Sequence, residues 1–296
     1  MPVTITSTMV RDLREKSGAG MMECKKALEK ADGDFDGAVK IVREMGEIKG
    51  AKREGRTAAE GIAHIEISGD ETAGALIELN SETDFVARND EFQSAAKGIA
   101  ATALKEKTKS AADLGGKHVA SHGKTASEIV SSLVGKIGEK IQLNRADYIE
   151  ADVVTGYIHP PGKIGVLIGV KTDVKDKAKL KESLKDIAMH IAAMGPRFLN
   201  DAEVDAKTID AEREICANIA RNEGKPEAII PKIVEGKVKS FYKDNCLLNQ
   251  EFVKDNKQTI KQVVDAAAKA AGGTATITRF VRFKVGETAS KETAAE

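Results

Sequence analysis

The chain has 296 residues, 41% of them hydrophobic, and its 46 basic and 46 acidic side chains cancel. That length supports two or three domains with sizeable cores, and the charge balance argues against a general nucleic-acid binder that relies on counterion release. Three cysteines, Cys24, Cys216 and Cys246, are odd in number and show no CxxC or Cys/His spacing, which argues against a disulfide framework or a zinc site.

The N-terminal residues carry no apolar signal core, and no run approaches the roughly 18 apolar residues of a membrane span. The sequence therefore reads as cytoplasmic and soluble, with no membrane contact. Residues 1–55 read as a helical module and linker. Val10 and Leu13 mark one short helix, closed by Ser17-Gly18-Ala19-Gly20. Met21, Cys24, Leu28 and Ala31 form the apolar stripe of a second helix, leaving Met22, Lys25 and Lys26 on its flank. Asp32-Gly33-Asp34 turns the chain into a third helix carrying Phe35, Val39 and Val42. Gly46 to Thr57, rich in Gly, Lys and Arg, is the linker candidate.

Residues 56–150 and 151–286 read as two related α+β subdomains with antiparallel sheets. Gly61-Ile62-Ala63-His64 matches Gly156-Tyr157-Ile158-His159, Gly74-Ala75-Leu76-Ile77 matches Gly165-Val166-Leu167-Ile168, and Ile99-Ala100-Ala101 matches Ile191-Ala192-Ala193. Each copy reads as a hairpin followed by a helix. Gly74 to Asn80 alternates as a half-buried strand, and Phe92, Ala95, Ala96, Ile99 and Ala103 repeat at helical spacing. Thr83 and Asp84, at the joint between them, are candidate N-caps. Ile141 and Leu143 mark a further strand, in which Gly138 reads as a bulge or a point of close backbone approach.

Between residues 206 and 241, Ile209, Ile215 and Ile219 precede a Gly224-Lys225-Pro226 break, and Ile229, Ile230, Ile233, Val234, Val238 and Phe241 follow it. Two helices of about sixteen residues, each about 24 Å long, should fold back as an antiparallel coiled-coil hairpin. Ile277 to Val285 alternates as a last strand, and 287–296 reads as a disordered tail.

Two segments carry a resemblance. Glu78 to Arg88, ELNSETDFVAR, and Leu13 to Leu28, LREKSGAGMMECKKAL, resemble the two signatures of the bacterial translation elongation factor Ts family, with Ser17 where that family usually has threonine. The resemblance spans nearly the whole chain and weakens at about 108–127 and at the C-terminus. It implies a ubiquitin-associated-like three-helix module and a protruding coiled coil. It also implies guanine-nucleotide exchange on elongation factor Tu, a GTPase, without cofactor, metal or active site, and with no direct nucleic-acid contact. Contact roles would then fall to Met21, Met22 and Lys25, to Thr83, Asp84, Phe85 and Val86, to Ile137 and Gly138, and to His159. The family's aspartate and phenylalanine, matched by Asp84 and Phe85, enter the partner near its magnesium and phosphate site. By residue type alone Phe85 is an ordinary core aromatic.

The sequence shows no catalytic constellation. Gly116 to Thr125, GKHVASHGKT, lacks the first glycine and the leading strand of a phosphate loop, and Gly18-Ala19-Gly20 lacks the third glycine of a dinucleotide fingerprint. His118 and His122 have no third ligand at useful spacing. His190, in an apolar helical pattern, reads as a packed residue. Other classes stay open beside the exchange factor: a non-catalytic coiled-coil scaffold or chaperone-like binder, and an enzyme with an unrecognised site in the α+β core.

Overall fold

The computed structural model describes residues 3–51, 53 and 55–289. Helices α1 (Ser7–Ser17), α2 (Met21–Lys30) and α3 (Phe35–Ala51) are followed by strands β1 (Glu60–Ile67) and β2 (Ala73–Ser81), the short helix α4 (Asp84–Ala87) and helix α5 (Asp90–Lys105). Helix α6 (Ala111–Gly115), a small hairpin of β3 (His118–Val119) and β4 (Lys124–Thr125), α7 (Ala126–Ile137) and β5 (Ile141–Glu150) complete the first half. The second half runs β6 (Val153–His159), β7 (Ile164–Thr172), α8 (Lys177–Met194), α9 (Ala206–Asn222), α10 (Ile230–Asn245), β8 (Glu251–Phe252), β9 (Asp255–Thr259), α11 (Ile260–Ala270) and β10 (Ala275–Lys284).

The architecture is α+β, with two antiparallel three-stranded sheets ordered β1-β2-β5 and β10-β7-β6. Each sheet has its hairpin's second strand at the centre, a helix after it (α5 or α8), and a later strand added to that centre, so the topology is duplicated. The register is not duplicated residue for residue. Gly74 pairs with Ile67 and Gly165 with Ile158, so superimposing those two glycines sets Gly61 four positions away from Gly156.

The sheets stack through Ala63, Leu76, Ile149, Val154, Leu167, Val281 and Phe283. On its outer face the first sheet packs against α5 and α7, and the second against α8 and α11. β2 is therefore buried on both faces, where a half-buried strand was expected, because a helix layer covers one side and the other sheet the opposite side. The matched Gly-x-Leu triplets interlock across the stack. A Cβ at Gly165 would lie 2.6 Å from Leu76 Cδ1, and one at Gly74 would lie 3.1 Å from Leu167 Cδ1. Each glycine receives the leucine of the other copy.

Glu78 also points into this layer and is fully buried. Burying a lone carboxylate is costly, and its oxygens accept from Arg145 Nε (2.5 Å) and Gly286 N (2.9 Å). Arg145 lies over the Phe283 ring at 4.3 Å and donates to Lys284 O at 2.9 Å, so one guanidinium ties β5 to the end of β10.

In the N-terminal module Val10, Leu13, Cys24, Ala27, Leu28 and Ala38 make a small separate core. The expected linker from Gly46 is helical up to Ala51, because α3 runs on along α7: Gly46 and Gly135 approach closely, and Arg43 Nη2 reaches Glu128 Oε1 at 2.7 Å. Lys52 and Glu54 of that stretch lie outside the described residues. Glu128 is held below the usual carboxylate range first by the Thr125 N–H of its own capping box and then by Arg43. The 108–127 stretch holds α6, the β3–β4 hairpin and the start of α7, with His118 and His122 on the hairpin.

Helices α9 and α10 pack as the expected hairpin through Ile209, Cys216, Ala220, Ile230 and Val238. At the base of the hairpin the segment between α8 and α9 is tied to the end of α10, where Arg197 N and Phe198 N donate to Asn245 O (2.9 and 3.1 Å). Of the expected tail, Glu287 lies 3.7 Å from Arg145 and Arg282, and Thr288 accepts from Asn144 at 2.8 Å. Residues 290–296 lie outside the described residues.

His190 is fully buried, as its apolar pattern indicated. Gln250 Nε2 donates to Asp244 O (2.7 Å), so Gln250 Oε1 accepts from His190 Nε2 (2.9 Å), and His190 Nδ1 accepts from Val253 N (3.2 Å). This is the neutral ring, and burial lowers its pKa.

Two stability measurements follow from this packing. Gly165→Ala should lower the free energy of urea unfolding by about 1–3 kcal/mol through overpacking, and Leu76→Val, which withdraws the opposing methyl, should restore part of that loss when combined with it. The second concerns pH. A histidine whose folded pKa is depressed contributes stability that is fully present above about pH 6.5 and is lost as the pH falls through the folded value. Asp173, accepting from the Thr274 N–H, and Glu150, paired with Lys107, lie below the usual carboxylate range and titrate later. The decline in stability between about pH 7 and pH 5 should therefore be shallower in His190→Gln than in the wild type.

Candidate functional site

The joint between β2 and α5 holds an aromatic side chain in solvent. Phe85 is 78% exposed, while Phe92, seven positions on, is fully buried. The cause lies in α4, a single turn whose Val86 and Ala87 sink into the first subdomain's core and leave the opposite side of the turn facing out. The predicted capping role of Thr83 and Asp84 is not what these side chains do. Thr83 stands at the N-cap of α4 without a side-chain cap bond, Asp84 accepts from Arg88 Nη2 (2.9 Å), and the long helix α5 is capped by Asn89, which accepts from Glu91 N and Phe92 N.

Thr83 is occupied elsewhere. Its N–H and hydroxyl both donate to the Glu139 carboxylate (2.9 and 2.7 Å), while its carbonyl accepts from Ser81 Oγ (2.9 Å). In return Glu82 Oε1 accepts from Lys140 N (2.6 Å), and Glu82 Oε2 lies 3.2 Å from Arg56 Nη1. A pair of reciprocal carboxylate bonds thus joins residues 82–83 to 139–140. Neither Glu82 nor Glu139 carries a sequence signal of this role, because nothing local pairs positions so far apart in the chain.

Gly138 is not a strand bulge. It closes α7 in the left-handed region at φ 84°, its N–H donating to Val134 O at 3.0 Å, a conformation that glycine adopts without Cβ strain. The bulge in this ladder falls instead between Glu78 and Leu79. Ile137 is half-buried against the core. The clamp through Glu139 therefore brings the Ile137-Gly138 turn beside the Phe85 loop.

Met21 does not face the core. Met21 and Met22 are 60% and 64% exposed, and the buried stripe of α2 is Cys24, Ala27 and Leu28. Side chains lean toward a helix's N-terminus, so the first residue of α2 projects past the end of the three-helix core. Lys25 is exposed, with Glu29 Oε1 at 3.9 Å. The turn that precedes Met21 abuts α7: a Cβ at Gly18 would lie 3.3 Å from Lys136 Cδ. Lys136 pairs with Glu91 in the first turn of α5. The Gly18 turn, just before the two methionines, thus packs on Lys136, three residues ahead of the Glu139 that bonds Thr83 beside Phe85.

His159 ends β6 exposed, its Nδ1 2.9 Å from the Tyr157 hydroxyl. The turn after it docks on β1, where Ala63 N donates to Gly162 O at 2.8 Å. Among the described residues no hydrogen bond links His159 to the Phe85 loop. Also among the described residues, no group of three or more His, Cys, Asp and Glu side chains is placed to hold a metal ion, and no helix is long and apolar enough to cross a membrane. Burial pushes the Cys246 thiol up to about 12 and raises Cys216 too, so neither is a poised nucleophile.

Comparison with known proteins bears on what such a surface contacts. Residues 82–287 match the family model described as Elongation factor TS. The chain is similar to Elongation factor Ts of a Nitratiruptor species, 44% identical over 98% of this chain and 96% of the relative. It is likewise similar to Elongation factor Ts of Clostridioides difficile, 46% identical over 96% and 93%, and of Clostridium botulinum, 42% identical over 97% and 94%.

Side chains exposed to this degree contribute little to folding. Phe85→Ala, Met21→Ala and Met22→Ala should each change unfolding stability by no more than about 0.5 kcal/mol, whereas Phe92→Ala should cost about 3–5 kcal/mol, as read by chemical denaturation.

Proposed function

The chain belongs to the elongation factor Ts family and is accordingly a translation elongation factor; from that membership we propose that it is a guanine-nucleotide exchange factor for elongation factor Tu. The observation that carries the reading is Phe85, an aromatic 78% exposed on a turn whose neighbours are anchored on both sides.

In this reading Phe85 enters between helices of the GTPase, while Thr83, Asp84 and Val86 hold the loop against it. The intrusion disturbs magnesium coordination, and loss of the ion leaves the phosphate charge of GDP less compensated. Met21, Met22 and Lys25 press on the nucleotide-binding domain beside Ile137 and Gly138. His159 and the second subdomain grip a further part of the partner. No covalent chemistry is required of this chain. Exchange follows from linkage: a factor that binds the nucleotide-free GTPase more tightly than the GDP form must weaken GDP by the same ratio. Each tenfold of weakening needs about 1.4 kcal/mol of coupling, so several coordinated contacts share the work. The setting proposed for this activity is the cytoplasm.

A second reading, a scaffold or chaperone-like binder acting through the α9–α10 hairpin, draws on Ile215, Ile219 and Ile229, which are 53%, 51% and 45% exposed there. The two readings separate on the Phe85 loop, since hairpin binding is indifferent to it.

Release of fluorescent GDP from purified elongation factor Tu tests the proposal. The wild type should accelerate release, and Phe85→Ala should lower the maximal rate about tenfold, the loss expected when roughly 1.4 kcal/mol of coupling is removed, with a smaller change in the half-saturating concentration. Equal maximal rates would remove Phe85 from the mechanism. No acceleration by the wild type would leave the hairpin reading.

A further inference from the structure

The helical turn that carries Phe85 cannot hold itself in place. Asp84–Ala87 is four residues long, far below the length at which a helix is stable alone. Its shape must come from its ends. Downstream, Val86 and Ala87 are buried and Asn89 caps α5. Upstream, the backbone enters through Thr83, and all three of that residue's polar groups are taken up: N–H and hydroxyl by Glu139, carbonyl by Ser81 Oγ.

We propose that Glu139 is a positioning residue, which fixes the orientation in which Phe85 is presented by gripping Thr83 with both carboxylate oxygens. Glu139 is itself aimed from two sides. Gly138 before it is set by the left-handed closure of α7, and the N–H of Lys140 after it donates to Glu82 Oε1 at 2.6 Å. The two glutamates act reciprocally, each from one segment onto the backbone of the other. Both Thr83 bonds go to a charged acceptor, which makes them stronger than neutral ones. Residues 82–83 and 139–140 therefore move as one body, and the Ile137-Gly138 turn keeps a fixed offset from Phe85.

This role rests on the exchange reading for its functional consequence, but its structural half can be measured alone. The chain contains no tryptophan, so Phe85→Trp supplies a single indole whose fluorescence anisotropy reports nanosecond motion of the loop. In that background, Glu139→Ala should increase the amplitude of fast local motion about twofold or more, and Glu139→Gln, which keeps an acceptor oxygen for Thr83, should increase it less. In GDP release, Glu139→Ala should lower the maximal rate about five- to tenfold. If Glu139 acts through the aromatic ring, that loss should shrink to less than about twofold when Glu139→Ala is made on top of Phe85→Ala. Thr83→Val, which removes one of the two bonds and no charge, carries the same comparison should Glu139→Ala fail to fold.

An unchanged anisotropy, or an equal loss of rate in the wild-type and Phe85→Ala backgrounds, would overturn the positioning role and leave the exchange reading intact. Loosening of the indole by Glu139→Ala, in a protein whose wild type accelerates no GDP release, would support the clamp and overturn the exchange reading.

Discussion

The interlock between the two sheets sets the terms for the rest of the molecule. Leu76 sits over Gly165 and Leu167 over Gly74, and any side chain at either glycine would meet the opposing methyls. Close approach of the sheets leaves no room for solvent in the layer between them, so β2 and β7 are buried on both faces. A charged group in that layer is tolerable only when paired, which is why Glu78 needs both Arg145 and the Gly286 N–H. Helices must then cover the two outer faces, and α5, α7, α8 and α11 do so.

Committing both faces of both sheets to packing leaves the ends of strands and helices as the places where side chains can serve a partner. Four of the candidate contact residues fall there: Phe85 just after β2, His159 at the end of β6, Met21 and Met22 at the start of α2. Their placement still depends on the core. Loops are free to carry function because a rigid scaffold positions them, and here the scaffold reaches them through few bonds. α7 links two of these places, the start of α2 and the Phe85 loop. It meets α3 at Gly46 and Gly135, ends beside the Gly18 turn, and hands Glu139 to Thr83.

The duplication was legible in the sequence because Gly-x-Leu recurs where the same packing problem recurs. Its register was not, since Gly61 and Gly156 match as letters while their ladder partners show a four-residue offset. The hairpin of α9 and α10 was legible for a simpler reason: an apolar seam on two short helices has one place to go. Periodicity misplaced Met21, whose spacing fits the stripe of α2 but whose position at the first turn carries it beyond the neighbouring helices. Local rules misread Thr83 and Gly138 in a shared way. A hydroxyl before a helix suggests a cap, and a glycine before a strand suggests a bulge. Here Glu139, from a distant part of the chain, takes the hydroxyl, and α7, which the sequence reading did not identify, ends on the glycine. Phe85 was exposed against its residue-type expectation, and only the family resemblance pointed that way.

For the proposed exchange reaction, the stiffness of the loop matters as much as the aromatic ring it carries. A ligand shifts an equilibrium only by the difference between its affinities for the two states. A phenylalanine on a mobile loop would adapt to the GDP-bound and the nucleotide-free forms of a GTPase alike, and so would bind without displacing anything. Ordering it on contact would also consume free energy that then could not weaken the nucleotide. A ring fixed at both ends fits one form and opposes the other. The clamp on Thr83, the burial of Val86 and Ala87 and the Asn89 cap each remove freedom from the same four residues. An exposed hydrophobic side chain held this firmly brings no stability to its own fold, and its rigidity is intelligible as preparation for a partner whose two states it must tell apart.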